Sequence, residues 1–348
     1  MEWNDVIAQL LAGEDLTYEE SYGVMDQVMS GELGDVRLAA FLTALSLKGL
    51  TVTEIHGLAD GMQDHAEHVD VTSDALDIVG TGGDRARTVN ISTMSAMVLA
   101  AAGVPVVKHG NRASTSASGS ADVIEALGIN LDIPAQRVAE VFDTCGITFL
   151  FANKFHPSMR FAAGVRRSLG FPTVFNILGP LTNPARPRAS AIGVAQAPNA
   201  PLMAGVFAER GLDALVFRGR DRGLDELTTT EPGEVWTVSG GQITHDEFDA
   251  VTAFGMERAS LEDLVGGTAS ENAQVARDLL AGRTGAVRDA VLLNVAAGVV
   301  AFGRHEGARP GDATLVERLR AGVELGAQAI DSGAAQALLD RWIVESNR

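Results

Sequence analysis

Apolar residues recur at three- and four-residue spacing from residue 3 to residue 68, a pattern that predicts amphipathic helices and no strand. Four segments share this spacing, at 3–13, 17–31, 34–49 and 51–67. Thr17 and Thr51 stand at N-cap positions with a glutamate shortly after each, and glycines stand where helices should end, at Gly13, Gly31 and Gly49. We therefore expect a small all-helical domain at the N-terminus.

From residue 76 the pattern changes to short apolar runs, each followed by a polar loop or a helix. These runs lie at 76–79, 104–107, 147–151, 189–195 and 213–217. Helices are predicted from about Ile91 to Ala102 and from Ala121 onwards. Strands that alternate with helices indicate a mostly parallel sheet that is covered on both faces.

The rest of the chain adds a hairpin and a second set of helices. Two short runs flank Gly240-Gly241 within 234–248, which is typical of a two-residue hairpin turn. Helical spacing returns in four segments, at 272–282, 287–303, 314–333 and 334–345. The predicted fold class is α/β, with an all-helical domain at 1–72 and a larger α/β domain at 73–348 built on a mostly parallel central sheet flanked by helices.

Charge and composition narrow the range of partners. The 348 residues include 27 Lys and Arg against 45 Asp and Glu, a net charge of −18, which disfavours nucleic acid and anionic membranes as partners. A phosphorylated ligand would need local cations, backbone amides or a metal ion. Cys145 is the only cysteine, which excludes an intrachain disulfide and a cysteine zinc cluster, and its apolar setting predicts a packing role.

The sequence also predicts a cytoplasmic protein. Its N-terminus lacks the basic start and apolar run of a signal peptide. The longest apolar stretches, near 93–107 and 290–303, are too short to span a bilayer.

Three polar loops follow predicted strands, at the edge of a parallel sheet where ligands bind. In the first, residues 79–93, Gly80, Gly82 and Gly83 precede Asp84. Neither a P-loop lysine nor the dinucleotide glycine spacing is present. The amides at 82–84 and the helix that opens with Asn90, Ser92 and Thr93 indicate an anion site, although a turn with an N-cap would have similar residues.

The second and third loops add cations, hydroxyls and carboxylates. In the second, Lys108, His109, Asn111 and Arg112 precede five hydroxyl residues, Ser114, Thr115, Ser116, Ser118 and Ser120. This set suits a phosphate, with a flexible, solvated serine loop as the alternative. The third places the Asp225-Glu226 pair before a threonine run, which suits Mg²⁺, although such pairs are often solvated surface.

A fourth stretch, residues 155–184, carries His156, Arg160, Arg166 and Arg167 on or near a helix. An arginine there could bind a carboxylate through two hydrogen bonds. The alternative for each of the three arginines is an exposed position in solvent, which we expect for one or two of them.

Six blocks occur in an order that resembles the anthranilate phosphoribosyltransferase family: GTGGD, VNIST, KHGNR, SGSADVIEALG, NILGPLTNPA and DELTTTEP. The resemblance extends over about residues 3–345. It implies the nucleoside phosphorylase-like fold, in which helices near 155–185 join the N-terminal helical domain. It also implies transfer of phosphoribose from phosphoribosyl pyrophosphate (PRPP) to the amine of anthranilate, in tryptophan biosynthesis, by a Mg²⁺-dependent homodimer that associates through its helical domain.

The resemblance also implies a set of site residues. The implied PRPP contacts are Gly80, Gly83, Asp84, Thr88, Asn90, Ile91, Ser92, Thr93, Lys108, Asn111, Ser116 and Ser120. The implied anthranilate contacts are Gly80, His109, Asn111, His156, Arg166 and Pro180. The implied Mg²⁺ ligands are Ser92, Asp225 and Glu226. Lys108 and Arg166 would position the substrates, and no residue is identified as a general base.

One position departs from the family pattern, because Ala117 stands where many relatives carry a lysine. Three other functions fit the sequence less well. A pyrimidine nucleoside phosphorylase is disfavoured by the DELTTTEP and NILGPLTNPA blocks. A catalytically silent, nucleic-acid-binding relative should be basic and lack the carboxylate pair, and an NAD-dependent oxidoreductase should show different glycine spacing.

Overall fold

A computed structural model describes residues 2–113, 118–305 and 313–348. The N-terminal segment forms four helices, α1 Trp3–Leu11, α2 Tyr18–Ser30, α3 Asp35–Lys48 and α4 Val52–Asp64. Thr17 and Thr51 each cap a helix and form a reciprocal capping box with the glutamate three residues on, Glu20 and Glu54. The predicted helical N-terminal domain is confirmed.

Among the described residues, seven strands form a single sheet in the order β3-β2-β1-β4-β5-β6-β7. Their bounds are β1 Leu76–Gly80, β2 Val106–Gly110, β3 Ile147–Phe151, β4 Ala189–Gly193, β5 Asp213–Gly219, β6 Gly233–Ser239 and β7 Gln242–Phe248. The first five are parallel, and β6 and β7 form the predicted antiparallel hairpin. Gly240 and Gly241 both have positive φ in its turn, as a two-residue turn of this type requires.

The remaining helices connect and cover the strands. They are α5 Ile91–Ala101, α6 Ser120–Ala126, α7 Ala135–Cys145, α8 Ala152–Phe155, α9 Arg160–Leu169, α10 Phe175–Leu178, α11 Asn199–Glu209, α12 Ala250–Phe254, α13 Ala269–Leu280, α14 Ala286–Phe302, α15 Leu315–Asp331 and α16 Ala334–Ser346. Short 3₁₀ turns occupy Pro157–Met159, Gly179–Leu181 and Leu261–Leu264. Cys145 is buried at the end of α7.

Two large apolar clusters lie against the sheet. One contains side chains of α5, α13, α14, α15 and α16, and α14 is buried along most of its length. The other joins α1–α4, α9 and α10 to α11 and to β4 and β5, so the helical domain packs onto the α/β domain. Within the part of the chain that the structure describes, no helix has the length and apolar character needed to cross a membrane.

The strand order reverses between β1 and β4, because the chain proceeds from β1 to β2 and β3 on one side and from β4 to β5 on the other. In open α/β sheets a ligand crevice forms at such a switch point, outside the carboxyl ends of the strands. The first glycine loop leaves β1 at this point, which places it at the centre of the candidate site.

Candidate active site

Gly80 and Gly193 pair across the switch point, and Asp225 lies against both. A Cβ at residue 80 would lie 2.2 Å from Oδ2 of Asp225, and a Cβ at residue 193 would lie 1.7 Å from its carbonyl oxygen. Neither distance is compatible with a side chain. Two glycines are therefore needed here because the third loop passes directly over the strand ends.

We expect Gly193→Ala to lower kcat/KM for PRPP at least about 100-fold, because the new methyl group must displace the backbone of Asp225. Steady-state kinetics at several Mg²⁺ concentrations would measure the loss. Gly164→Ala in α9 is the matched control, since a Cβ there meets nothing within 4 Å. If Gly193→Ala stayed within about threefold of wild type, the position of Asp225 would not govern the reaction.

The glycine loop folds around the Asp225 carboxylate. Gly82 and Gly83 have φ of 69° and 89°, which only glycine adopts readily. The Gly82 amide donates to Oδ2 of Asp225 at 2.6 Å, across 143 positions of sequence. Asp84 accepts from the Ala86 amide at 3.0 Å and lies close enough to Asp225 to raise its pKa. One of the amides that the sequence suggested for a phosphate is therefore bound to Asp225.

The start of α5 lies beside Glu226. The Ser92 amide donates to Oε1 of Glu226 at 3.2 Å, while Asn90 stands at the N-cap position. The side chains of Ile91 and Thr93 are buried, and within the described residues Oγ1 of Thr93 has no hydrogen-bond partner. Thr88, by contrast, forms a bridge to Val265 and is half-buried.

Asp225 and Glu226 are buried carboxylates, and the pKa of each is raised. Burial, reinforced by Asp84, raises the pKa of Asp225 to about 7. Burial and the neighbouring Asp225 raise the pKa of Glu226, which Lys108 partly offsets. A bound divalent cation would favour the ionised forms of both carboxylates.

The donor set fits Mg²⁺. It offers carboxylate and hydroxyl oxygens from Asp225, Glu226 and Ser92, which are the hard ligands that this ion prefers. Across the described residues, no three His, Cys, Asp or Glu side chains form a complete metal cage. That is expected for Mg²⁺, because it commonly uses one or two protein carboxylates together with phosphate oxygens of the substrate.

Lys108 reaches the same place from β2. Its side chain is buried, and Nζ donates to the Ile78 carbonyl at 2.5 Å and to Oγ of Ser92 at 3.3 Å. Burial lowers the pKa of Lys108, and the charges of Asp77 and Glu226 oppose that shift. A phosphate group would be a further anionic partner for this ammonium.

The described part of the second loop folds back onto α6. Oγ of Ser120 donates to the Asn111 carbonyl at 3.2 Å, and Nδ2 of Asn111 donates to Oδ1 of Asn153 at 3.2 Å. The Arg112 guanidinium is paired with Asp122 and Glu125, so it is not directed at a phosphate as the sequence suggested. The predicted contact Ser116 and the departure at Ala117 lie outside the described residues.

His109 and His156 form a neutral pair beside the Gly179–Leu181 turn, which contains the buried Pro180. Their ring centroids are 5.1 Å apart. Nδ1 of His109 lies 3.2 Å from the Gly179 carbonyl and Nε2 of His156 lies 2.9 Å from that of Thr182, so those two nitrogens carry the protons. Burial lowers the pKa of His109 to about 3 and that of His156 to about 4.

Arg166 lies on α9, half-buried, with its Cζ 5.1 Å from the centre of the Phe175 ring. Burial lowers the pKa of its guanidinium, which still remains charged. The described residues provide it with no hydrogen bond or ion pair, whereas its neighbour Arg167 is exposed to solvent. The Arg166 guanidinium therefore has hydrogen-bond donors free for an anionic group such as a carboxylate.

Two asparagines that were not identified from the sequence hold these loops in place. Asn294 in α14 accepts from the Leu227 amide at 3.2 Å and donates to the Leu227 carbonyl at 2.8 Å, directly after Glu226. Asn272 in α13 donates to Oδ1 of Asn90 at 2.8 Å. Both side chains are buried. Asn294 interrupts the long apolar run of α14, which was a signal available in the sequence, whereas Asn272 lies among other polar residues of α13 and gave no such signal.

All three predicted loops thus converge. Asp225 joins the third loop to the first, Lys108 joins β2 to Ser92, and Nδ2 of Asn90 donates to the Ser118 carbonyl at 3.2 Å. The histidine pair lies on the other side of β2 from Lys108, because successive side chains of a strand point to opposite faces.

Known proteins resemble the chain along nearly its whole length. The family model described as "Glycosyl transferase family, helical bundle domain" matches residues 4–66, and the "a/b domain" model of the same family matches 72–336. The anthranilate phosphoribosyltransferase of Arthrobacter sp. (strain FB24) is 54% identical over 98% of this chain and 95% of the relative. The anthranilate phosphoribosyltransferase of Streptomyces griseus is 54% identical over 99% of this chain and 95% of that relative.

Two solved structures are also similar. The anthranilate phosphoribosyltransferase of Thermus thermophilus has a TM-score of 0.90 and 42% identity, with 99% of this chain and 100% of that chain covered. The enzyme from Saccharomyces cerevisiae in complex with PRPP and Mg has a TM-score of 0.86 and 27% identity, with 99% and 98% covered.

Proposed function

This chain belongs to the anthranilate phosphoribosyltransferase family, and on that premise we propose how its residues transfer phosphoribose from PRPP to the amine of anthranilate. The observation that carries the proposal is the junction at the switch point. There the buried Asp225 and Glu226 accept hydrogen bonds from the glycine loop and from α5, within the electrostatic range of Lys108.

PRPP occupies the crevice above β1 and β4. The pyrophosphate is held by the first loop, through Gly80, Gly83, Asp84, Thr88 and the 90–93 segment. Lys108, Asn111, Ser116 and Ser120 hold the ribose and its 5′-phosphate. The buried ammonium of Lys108 and the N-terminus of α5 supply positive potential in an otherwise acidic protein.

Asp225, Glu226 and the Ser92 hydroxyl would hold Mg²⁺, which when bound would supply positive charge against the leaving pyrophosphate. The Gly82 amide holds the Asp225 carboxylate directly. Asn294 holds the backbone of Leu227, the residue that follows Glu226. The complex of the yeast enzyme with PRPP and Mg supports the use of this ion together with PRPP.

Anthranilate binds on the histidine side. Arg166 binds its carboxylate, and Gly80, His109, Asn111, His156 and Pro180 line the channel. Because both histidines are neutral, they present polarisable rings to the aromatic substrate without a competing positive charge. The site therefore favours the reaction mainly by positioning the amine against the ribose carbon.

The experiment that tests this function mixes the enzyme with PRPP, Mg²⁺ and anthranilate and follows the loss of anthranilate fluorescence. We expect the signal to fall only when all components are present. A parallel assay with inorganic phosphate and a pyrimidine nucleoside should show no phosphorolysis. PRPP-independent loss, or phosphorolysis, would contradict the proposal.

We also propose a homodimer through the helical domain. Three large apolar side chains of this domain are exposed, Leu11 on α1 and Val36 and Leu47 on α3. Val36 is 85% exposed and Leu47 is 83% exposed, and a second subunit that packs on α3 would cover both. The domain division at residue 72 and the cytoplasmic location stay predictions.

Replacing Val36 and Leu47 together by glutamate should shift the protein from dimer to monomer in sedimentation velocity, because two charges would have to be buried in each interface half. Val344→Glu on α16 is the control, since this side chain is also exposed but lies outside the helical domain. A double variant that sediments like wild type would place the interface elsewhere.

A further inference from the structure

The main-chain pairing of β1 with β2 stops short of the active site. These strands pair at Leu76 and Val106 only, whereas β2 pairs with β3 through to Gly110. Lys108 and His109 therefore lie in a part of β2 that lacks register partners on β1. Other contacts must hold this segment against the glycine loop.

Side chains replace the missing ladder. The His109 amide donates to Oδ1 of Asp77 at 3.1 Å, and Nζ of Lys108 donates to the Ile78 carbonyl at 2.5 Å. Asp77 and Ile78 are both in β1, so the two contacts join β2 to β1 at consecutive residues of each strand. Together they hold the substrate-facing end of β2.

Asn183 extends this connection to the helical domain. Its Nδ2 donates to the Val107 carbonyl at 2.7 Å, and its own carbonyl accepts from Nε2 of Gln63 in α4 at 2.7 Å. The Asn183 amide also stabilises the ionised form of the Asp77 carboxyl. A continuous set of hydrogen bonds thus joins α4 to the strand that carries Lys108 and His109.

The need for a stable core does not account for Asp77. Its side chain is fully buried in a central parallel strand, a position that apolar residues normally occupy. Within the described residues, its Oδ2 has no hydrogen-bond partner. Burial raises the pKa of Asp77 to about 6, against the charge of Lys108. Such a group reduces the free energy of unfolding unless the surrounding contacts compensate.

We propose that Asp77 is a positioning residue for the transfer reaction: its hydrogen bond to the His109 amide holds the end of β2, so that Lys108 meets PRPP on one face and His109 meets anthranilate on the other. The proposal rests on the assignment of Lys108 and His109 to these substrates. Asn183 supports the same strand end through the Val107 carbonyl.

The test compares Asp77→Ala, which removes the acceptor, with Asp77→Asn, which retains an oxygen at the same distance. We expect Asp77→Ala to lower kcat/KM about 100-fold and to raise the KM of both substrates, because a small displacement affects both sides of β2. Asp77→Asn should recover activity to within about tenfold of wild type. Hydrogen exchange of a peptide covering 106–110 should accelerate in Asp77→Ala only.

Three controls separate positioning from general destabilisation. Asp74→Asn removes the same charge from an exposed residue nearby and should behave like wild type. Leu338→Ala creates a core cavity in α16 and should lower Tm without changing either KM. If Asp77→Ala does not fold, Asn183→Ala should raise both KM values and accelerate exchange at 106–110.

The proposal would be overturned if Asp77→Ala left both KM values and the hydrogen exchange unchanged. If Asp77→Ala does not fold, the same result in Asn183→Ala would overturn it. Equal losses in Asp77→Ala and Asp77→Asn would also overturn it, since the retained oxygen would then be irrelevant. Lys108→Ala separates a failure of the positioning role of Asp77 from a failure of the proposed PRPP site. If Lys108→Ala raises the KM for PRPP while the Asp77 variants do not, only the positioning role of Asp77 fails. If Lys108→Ala leaves the KM for PRPP unchanged, the assignment of Lys108 to PRPP fails.

Discussion

Replacing Asp225 by asparagine and Glu226 by glutamine together should lower Mg²⁺-dependent turnover at least about 1,000-fold, because both carboxylates proposed to hold the ion would lose their charge. Side-chain volume and the acceptor for the Gly82 amide are retained, so the loop should keep its position. Turnover measured across a series of Mg²⁺ concentrations is the readout. Near-normal activity at limiting Mg²⁺ would show that the ion binds elsewhere.

The same substitutions should stabilise the ligand-free protein at alkaline pH. The folded-state pKa of Asp225 is about 7, against an ordinary value of 3.8, and that of Glu226 is also raised. The folded state therefore disfavours ionisation, and wild type loses stability as the pH rises from the ordinary pKa towards the folded pKa. The double variant lacks that loss, so its Tm at about pH 8 should exceed that of wild type without Mg²⁺.

The second large effect is expected at Arg166. Arg166→Ala should raise the KM for anthranilate about 100-fold and leave the KM for PRPP within about twofold, because the charge-assisted, bidentate contact proposed for one substrate would be removed. Fluorescence assays with each substrate varied in turn would measure both constants. Equal changes in the two KM values would contradict the assigned role.

Arg167→Ala is the matched control for this prediction. It removes the same charge from the adjacent position, but its side chain is exposed and should leave both KM values unchanged. The amide of anthranilate provides a second comparison. Wild type should discriminate strongly against it, whereas Arg166→Ala should treat the acid and the amide nearly alike, because the group that recognises the carboxylate is gone.

Much of the fold could be read from local patterns. The spacing of apolar residues predicted α1–α4, and the Thr17 and Thr51 caps occur as expected. The short apolar runs predicted β1–β5, and Gly240-Gly241 predicted the hairpin. These features depend on neighbours within a few residues, and for that reason the sequence shows them directly.

Individual residues of the candidate site could be predicted from the sequence, but the contacts between distant segments that position them could not. Asp225 and Glu226 stood out as a carboxylate pair, yet no local pattern showed that Gly193 is needed to admit the backbone of Asp225. Arg112 resembled a phosphate ligand, but its geometry favours Asp122 and Glu125 on the nearby α6 helix. Choices of that kind depend on which charged partner lies closer in space.

By itself, the sequence determined the two-part α/β architecture, the three polar loops that follow the strands and, through six ordered blocks, the family. The tertiary structure alone decided that Asp225 would bond to an amide 143 positions earlier and that Asp77 would hold the His109 amide across an interrupted strand pairing. Periodicity reports which face of a segment is buried. Contacts between distant segments depend instead on the order of strands in the sheet, and in this protein that order reverses between β1 and β4, where the glycine loop and the carboxylates meet.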